Sequence, residues 1–416
     1  MREKIDNIIT FFIMILIIII LAATVYFCLD VFAIIEVPEK YSIAALLYSK
    51  IEVRAASVEG INENIIDEDF DTVVKKKKKQ DIEEVVSEPV ETSSKTLEEV
   101  IDEVFSNTTS SDVIQNIDAD NEDANRFYYS QLDVYGKLIY DKLYENKDKL
   151  KTGTYIADFG TAFDELLHEE NGSETLNNSF QLAINALTFD NPDLFYIDVT
   201  KVYLLTEITT RAFSKTYKVS IGGNNGESYL SDNFYPSDNA KYSIGIVEQY
   251  KNSIVEECKN LSTVEKIRYV NNYLIDNTDY DILAGNNVYN IYGTLVEKKA
   301  VCEGYARACK YILDELEIPC IIACGIAKNS QNVTESHAWN YVKVDENWYA
   351  LDITWNDPII NNRTGRITDE IRYAYFLKGS NKFFEDHFED GNIVGNSNFK
   401  YPTLSVLNYE WGKIWV

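Results

Sequence analysis

Three residues that together could activate a cysteine nucleophile occur in order in the last third of the chain: Cys302, His337 and Asp352. A free thiol is mostly protonated near neutral pH, so a nucleophilic cysteine needs a base beside it or a field that favours the thiolate. An imidazole can serve as that base, and a carboxylate can hold the imidazole in place. The set therefore predicts an enzyme with an activated cysteine.

Cys302 is predicted to lie at the amino end of a helix. From Glu303 to Leu316 apolar residues recur at helical spacing, and Pro319 follows the end of the pattern. Free backbone N–H groups and the helix dipole favour an anion at such an end. The helix itself would therefore favour the thiolate.

His337 and Asp352 are predicted to share one face of a β-hairpin that turns at residues 345–347. Apolar residues alternate along both arms, namely Val342, Val344, Tyr349, Leu351 and Ile353. If these face the core, the strand period of two places His337, Trp339, Trp348 and Asp352 on the opposite face. The register between the arms does not follow from the sequence, so direct and diagonal pairing both remain open.

The segments around these residues resemble the transglutaminase-like superfamily of papain-type cysteine enzymes, over about residues 260–380. Three stretches carry the resemblance: Asn-Ile-Tyr-Gly-Thr-Leu-Val-Glu-Lys-Lys-Ala-Val-Cys-Glu-Gly-Tyr-Ala (290–306), Ser-His-Ala-Trp-Asn (336–340) and Asn-Trp-Tyr-Ala-Leu-Asp-Ile-Thr-Trp-Asn-Asp-Pro (347–358). The resemblance implies an α+β fold, with the nucleophile helix packed on an antiparallel sheet. It also implies that Cys302 forms a thioester with an amide or ester carbonyl. Water as acceptor then gives hydrolysis, and an amine gives cross-linking.

One departure from the family pattern concerns the oxyanion hole. Animal transglutaminases resemble this pattern but use an upstream tryptophan as a second oxyanion donor, whereas every tryptophan here follows Cys302: Trp339, Trp348, Trp355, Trp411 and Trp415. We expect the backbone N–H of Cys302 to be the first donor. Tyr280 and Tyr292 are candidates for the second donor and for the substrate groove. Trp339 and Trp348 are further groove candidates, with core packing as their alternative role.

Other polar residues are interpreted as structural. His168 and His387 lie in acidic stretches and are predicted to be solvated. Glu303 is interpreted as a helix amino-terminal charge and Asp357 as a turn residue before a proline.

A zinc site is the competing interpretation of the cysteines. Cys302, Cys309, Cys320 and Cys324 lie close in sequence but lack Cys-x2-Cys pairs. The acidic residues also lack EF-hand spacing. Neither a metal nor a cofactor is therefore predicted. The six cysteines are too few for a disulfide scaffold in a chain of 416 residues.

The start of the chain predicts a membrane anchor. After a short tail at 1–7, residues 8–29 form an uncharged apolar run that is long enough to span a bilayer as a helix. A cleaved signal peptide is the alternative, but the run is too long and lacks a clear cleavage site. Basic residues precede the run, so the positive-inside rule predicts a single-pass protein of the cell membrane with an extracytoplasmic catalytic domain.

Residues 30–123 are predicted to be a juxtamembrane segment followed by an acidic linker. Residues 36–58 are read as a juxtamembrane helix. Residues 59–123 carry 20 acidic and 6 basic residues, which is half of the chain's net charge of −28. Such a segment buries too little apolar surface to order itself, so a largely disordered stalk is expected, with one short amphipathic helix at 96–104. Lys75–Lys79 are interpreted as solvated linker charge, with anionic lipid or wall polymer as alternative partners.

Two folded regions are predicted after the linker: an accessory α+β region at 124–235 and the catalytic domain at 236–416. Helices are expected at 124–150, 161–188, 241–260 and 262–277, and strands at 200–208 and 212–221. The Asp-Asn-Pro-Asp-Leu-Phe-Tyr turn at 190–196 resembles a segment upstream of the core in some bacterial family members, and no function follows from it. No nucleotide fingerprint is present, and the strong acidity argues against nucleic acid as a partner.

The sequence therefore predicts a membrane-anchored cysteine enzyme that acts on amide bonds of proteins or peptides at the cell surface. Wall-associated proteins are among the candidate substrates. A protease or amidase is preferred over a protein-glutamine transglutaminase because of the family's breadth. A non-catalytic binding or scaffold module is the alternative from another functional class.

Overall fold

The computed structural model describes residues 21, 25–26, 50–57, 126–211, 214–328, 333–357, 368–389, 392–394 and 397–410. The predicted transmembrane helix at 8–29 lies outside these ranges except at Leu21, Val25 and Tyr26. The acidic segment at 59–123, with its predicted helix at 96–104 and Lys75–Lys79, also lies outside them. Within the described ranges, none of the helices has both the length and the apolar character needed to cross a membrane.

The helices follow the predicted positions, with breaks where local packing requires them. They are α1 (Phe127–Ser130), α2 (Val134–Tyr144), α3 (Lys147–Leu150), α4 (Asp164–Leu167), α5 (Gly172–Asp190), α6 (Ser237–Cys258), α7 (Thr263–Asn277), α8 (Cys302–Glu315), α9 (Ile353–Asn356), α10 (Asp369–Arg372) and α11 (Ser380–Phe383). The predicted helix at 124–150 is three helices, because Asp133 caps a new start by accepting a hydrogen bond from Gly136 N. The start of α7 is a capping box of Ser262 and Glu265, at one of the predicted positions.

Strands form two four-stranded antiparallel sheets and two short pairs. The strands are β1 (Lys50–Ser57), β2 (Ala157–Gly160), β3 (Tyr203–Arg211), β4 (Ser214–Gly222), β5 (Asp279–Tyr280), β6 (Lys299–Ala300), β7 (Cys320–Lys328), β8 (Thr334–Val344), β9 (Asn347–Leu351), β10 (His387–Glu389), β11 (Asn392–Val394) and β12 (Ser397–Asn398). One sheet has the order β1-β3-β4-β2 and the other β10-β7-β8-β9. The predicted hairpin is β8 and β9, and Asp345 adopts a φ of 52° at its turn.

The prediction of a juxtamembrane helix at 36–58 is wrong for residues 50–57. These residues form β1, which pairs antiparallel with β3, and Gln181 Nε2 donates to Ser57 O at 3.0 Å. The Ile-Glu-Val-Arg-Ala stretch at 51–55 alternates with the strand period of two, which suits an edge strand. The acidic segment thus begins at one strand of the folded body and ends at α1 of the same body.

Buried apolar residues of the accessory and catalytic regions form one continuous core, which runs from Phe127 to Leu404. Asp190, the first residue of the turn at 190–196, ties the two together. Its carboxylate accepts hydrogen bonds from Tyr128 N and Tyr129 N at 3.0 Å each and from Tyr140 Oη at 3.2 Å. The Tyr128 hydroxyl in turn donates to Ile322 O on β7. The turn therefore anchors the start of the accessory region on the sheet that carries His337.

Candidate active site

Cys302 is the first residue of α8, as predicted. Val301 N bonds to Val288 O at 3.0 Å, and Tyr305 N makes a helical bond to Val301 O at 3.1 Å. The helix therefore offers no hydrogen-bond acceptor to the backbone N–H groups of its first three residues, Cys302, Glu303 and Gly304. The Cys302 side chain is 4% exposed, so a nearly dry thiol lies at the positive end of a helix of 14 residues.

Two glycines allow the preceding segment to pack against the start of α8. A Cβ at Gly304 would lie 2.3 Å from Val288 O, and one at Gly293 would lie 2.0 Å from Asn287 O. Both distances are far below van der Waals contact, so each position requires the absence of a side chain. The glycines of the 290–306 stretch thus hold the backbone against the nucleophile.

His337 and Asp352 meet on the sheet as diagonal neighbours. His337 Nε2 lies 2.8 Å from Asp352 Oδ2, and both side chains are buried. Asn340 pairs with Leu351 across β8 and β9, so continuation of this register places Asp352 opposite Trp339 and one pleat from His337. Asp352 lies just beyond β9 and caps α9, because its Oδ1 accepts a hydrogen bond from Trp355 N at 3.0 Å.

The electrostatics of the pair favour an imidazolium beside a carboxylate. Burial by itself would lower the pKa of His337, but the charge of Asp352 and hydrogen bonds to Asp352 and Cys302 raise that pKa well above its usual value. Burial would raise the pKa of Asp352, yet the charge and hydrogen bonds of His337, followed by those of His387, hold that pKa far below its usual range. Since Asp352 engages Nε2, the ring nitrogen of His337 that remains for the Cys302 thiol is Nδ1.

The prediction that His387 is solvated is wrong. Its side chain is fully buried, with Nε2 at 3.2 Å from Asp352 Oδ2 and Nδ1 at 2.7 Å from Asp386 Oδ1. The local composition was misleading, because the Glu-Asp-His-Phe-Glu-Asp stretch is acidic but its His387–Glu389 part forms β10 at the edge of the sheet. His168 has the exposed position that was predicted and contacts the carbonyls of Asp164 and Lys215.

Only one group of side chains in the described part of the chain has the spacing of metal ligands. It consists of His337, Asp352 and His387, whose ligand atoms lie within 4.8 Å of one another. Their facing atoms are already joined by hydrogen bonds, and a metal would need lone pairs on those imidazole nitrogens. The four cysteines considered for zinc are free thiols and do not form such a group.

The groove candidates occupy different environments. Tyr280 is 37% exposed, and burial together with the charge of nearby Cys302 raises its pKa, so this ring borders the nucleophile. The Tyr292 ring packs against two aromatic rings: its centroid lies 6.0 Å from that of Phe195 and 5.2 Å from that of Phe234. Trp339 and Trp348 are only 1% and 4% exposed, so they present almost no surface to a ligand and serve as core residues.

Glu303 is the acidic residue in the first turn of α8, as interpreted, and both Glu303 and Asp357 are buried. Arg307 Nε donates to Glu303 Oε1 at 2.7 Å, and Arg307 also donates to Thr188 O on α5. Asp357 accepts a hydrogen bond from Tyr305 Oη at 3.1 Å. Glu303 thus holds Arg307, which bonds to α5, and Asp357 holds Tyr305 of α8.

Residues 248–353 match the family model of the transglutaminase-like superfamily. The chain is 26% identical over 160 residues to the kyphoscoliosis peptidase of Mus musculus and 26% identical over 158 residues to that of Homo sapiens. The matches cover 36% and 35% of this chain, and 24% and 23% of those relatives. The chain thus spans about a quarter of the length of the curated relatives that it matches.

Two solved structures are also similar. One is described as a TGase; the alignment has 17% identity and a TM-score of 0.25, and covers 41% of this chain and 48% of that one. The other is described as a candidate cysteine protease from Cytophaga hutchinsonii; it has 15% identity and a TM-score of 0.24, with coverage of 39% and 60%.

Proposed function

The chain belongs to the transglutaminase-like superfamily through residues 248–353, and from this premise we propose that it hydrolyses amide bonds of protein or peptide substrates. Cys302 is the nucleophile, His337 the general acid and base, and Asp352 the group that orients His337. The single observation that supports this assignment most strongly is the hydrogen-bonded chain from Cys302 through His337 to Asp352. It joins a thiol at a helix amino terminus to a base held by a buried carboxylate.

The reaction has two stages. Cys302 Sγ bonds to the carbonyl carbon while its proton resides on His337, and the oxyanion forms near the free amide of Cys302. His337 then gives the proton to the departing amine, the C–N bond breaks and a thioester remains. Water attacks the thioester, His337 accepts a proton from that water, and the C–S bond breaks to release the carboxylic acid and restore the thiol.

Exposed apolar residues next to the nucleophile support a polypeptide substrate. Strand β5 pairs with β6 just before Cys302, and Asp281 N bonds to Ala300 O at 3.0 Å. The loop that follows carries Ile282 and Leu283, which are 60% and 82% exposed. Large apolar side chains at such exposure, beside a reactive thiol, suit an apolar side chain of an extended substrate.

Hydrolysis is preferred over cross-linking because the curated relatives are named as peptidases. The location of the reaction is part of the same proposal. The predicted span at 8–29 and the basic residues before it support a membrane-anchored enzyme whose catalytic domain faces away from the cytoplasm.

The test uses the full chain in detergent. Cys302 labelling by iodoacetamide is followed by mass spectrometry, with Cys324 as an internal reference thiol, and a peptide library is then incubated with and without a primary amine. We expect fast labelling of Cys302 that is lost in His337→Ala, and new peptide termini that are absent with Cys302→Ala. Amine adducts in place of new termini would indicate the transglutaminase. Labelling of Cys302 no faster than that of Cys324, without products, would indicate a binding module.

A further inference from the structure

We propose that His387 is a positioning residue that holds Asp352 against His337 as an imidazolium with N–H groups on both ring nitrogens; its role in the triad rests on the proposed function. His387 does not reach the thiol itself. It acts on Asp352 Oδ2, the same oxygen that lies 2.8 Å from His337 Nε2. The five groups Cys302, His337, Asp352, His387 and Asp386 thus form one hydrogen-bonded chain.

The protonation state follows from counting donors. Both partners of the His387 ring are carboxylates, Asp386 Oδ1 at 2.7 Å from Nδ1 and Asp352 Oδ2 at 3.2 Å from Nε2. An ionised carboxylate only accepts hydrogen bonds, and a neutral imidazole has only one N–H to donate. Both bonds can form only if both ring nitrogens carry protons, which makes His387 a cation.

The surroundings of His387 suit a buried cation. Four aromatic rings enclose it, with ring-centroid distances of 4.1 Å to Phe383, 4.6 Å to Trp355, 5.2 Å to Trp339 and 5.3 Å to Tyr375. Phe383 stacks on the His387 ring at an interplanar angle of 22°, and an aromatic face attracts positive charge, with a larger effect where water is excluded. Two carboxylates and an aromatic enclosure together offset the loss of hydration.

Charged and titratable groups face His387 from each neighbouring element. Asp352 lies at the end of β9, Asp386 immediately precedes β10, and the His337 ring on β8 lies 5.6 Å away. Tyr375 donates its hydroxyl to Asp386 Oδ2 at 2.7 Å and so fixes that carboxylate. One cation between two anions leaves a single net negative charge to stabilise the His337 imidazolium. It also prevents Asp352 from turning away from His337.

The first test measures protonation without any substrate. The chain has three histidines, so selective ¹⁵N-histidine labelling of the full chain in detergent gives three pairs of ring-nitrogen signals, and His387→Gln assigns one pair. We expect both ring nitrogens of His387 to be protonated at neutral pH. A neutral tautomer would overturn the proposal, as would displacement of its ring signals by equimolar Zn²⁺, since that would make the cluster a metal site.

The second test measures positioning through the rate of Cys302 alkylation at neutral pH. We expect the rate to fall roughly tenfold or more in His387→Leu, as for other partners that orient a functional histidine. His387→Gln keeps one N–H donor and is expected to be intermediate, while the exposed His168→Gln serves as the unchanged control. Equal rates in the Gln and Leu variants would reduce the role of His387 to packing, and unchanged rates in both would remove it altogether.

Failure of the proposed function has a different signature. If wild-type Cys302 is alkylated no faster than Cys302 of His337→Ala, the thiol is not activated and the proposed enzyme is wrong. The ¹⁵N signals of His387 still report its protonation in that case, because they do not depend on Cys302.

Discussion

His337 Nε2 lies 2.8 Å from Asp352 Oδ2, although the two residues lie on either side of a hairpin turn and one pleat apart in register. The diagonal arrangement leaves Asp352 beyond the last residue of β9, where it also caps α9. A side chain with two such bonds has little freedom to rotate. The orientation of the base is therefore fixed by the fold before any substrate arrives.

The first prediction is that Asp352→Asn slows alkylation of Cys302 by roughly 10²–10⁴-fold, the range for loss of a group that sets the tautomer and charge of a catalytic histidine. Asparagine has nearly the same shape but no charge, so the imidazolium of His337 loses its counter-ion. The measurement is the second-order rate of iodoacetamide labelling against pH. Asp345→Asn, at the exposed turn of the same hairpin, is the matched control. A rate within twofold of wild type in Asp352→Asn would show that the carboxylate does not act through His337.

The second prediction concerns Asp190, the carboxyl group that anchors α1. Burial raises its pKa to about 7, although the charge of Lys310 and the hydrogen bonds that it accepts act in the opposite direction. The native state therefore binds this proton more tightly than the unfolded chain, whose aspartate pKa is about 3.9. The contribution of Asp190 to stability falls as pH rises from about 4 to 7, by about 4 kcal/mol in total.

Asp190→Asn should abolish that part of the pH dependence. Urea unfolding of the full chain at several pH values between about 4 and 8 measures it. Asp352→Asn should remove a contribution with the opposite pH dependence, because the pKa of Asp352 is depressed. The stabilisation by Asp352 is present above about pH 4 and is lost as pH falls through the lower folded pKa. A parallel pH dependence in wild type and Asp190→Asn would contradict the assignment.

The reactive segments could be predicted from the sequence because they are local patterns. The helix start at Cys302 and the hairpin around 345–347 both follow from short-range periodicity and turn residues, and the structure has them where they were expected. His387 could not be found this way, because its burial depends on the pairing of β10 with β7, sixty residues earlier in the chain. An acidic neighbourhood in sequence says little about a residue whose neighbours in space are aromatic.

Long-range contacts also decide features at β1 and at Glu303 that the local sequence does not show. The strand at 50–57 is recruited by the exposed edge of β3, which local composition cannot reveal. Glu303 lies in the first turn of α8 as interpreted, but its burial with Arg307, which also donates to Thr188 O on α5, depends on packing that the local sequence does not show. In both cases a long-range contact outweighs the local preference.

The third prediction follows from the burial of the Glu303–Arg307 pair, whose side chains are 4% and 12% exposed. Arg307→Met should destabilise the protein by roughly 3–5 kcal/mol, since it leaves a buried carboxylate without its partner. The double variant Glu303→Gln/Arg307→Met should recover most of that loss, because no unpaired charge remains. Urea denaturation of the three proteins measures the difference. A double variant less stable than Arg307→Met alone would show that packing of the arginine stem, rather than charge, dominates.

The last prediction tests whether the start of α8 depends on Gly304. Alanine there would place its Cβ 2.3 Å from Val288 O and 2.9 Å from Thr294 Oγ1, so the backbone beside Cys302 must move. Gly304→Ala should therefore lower both stability and the rate of Cys302 alkylation.

Gly245→Ala is the matched control, because that helical glycine has nothing within 4 Å of its added Cβ. Alanine should stabilise α6 by about 0.5–1 kcal/mol without changing the alkylation rate. If Gly304→Ala is instead as stable and as reactive as wild type, the close approach of residue 288 does not position the nucleophile.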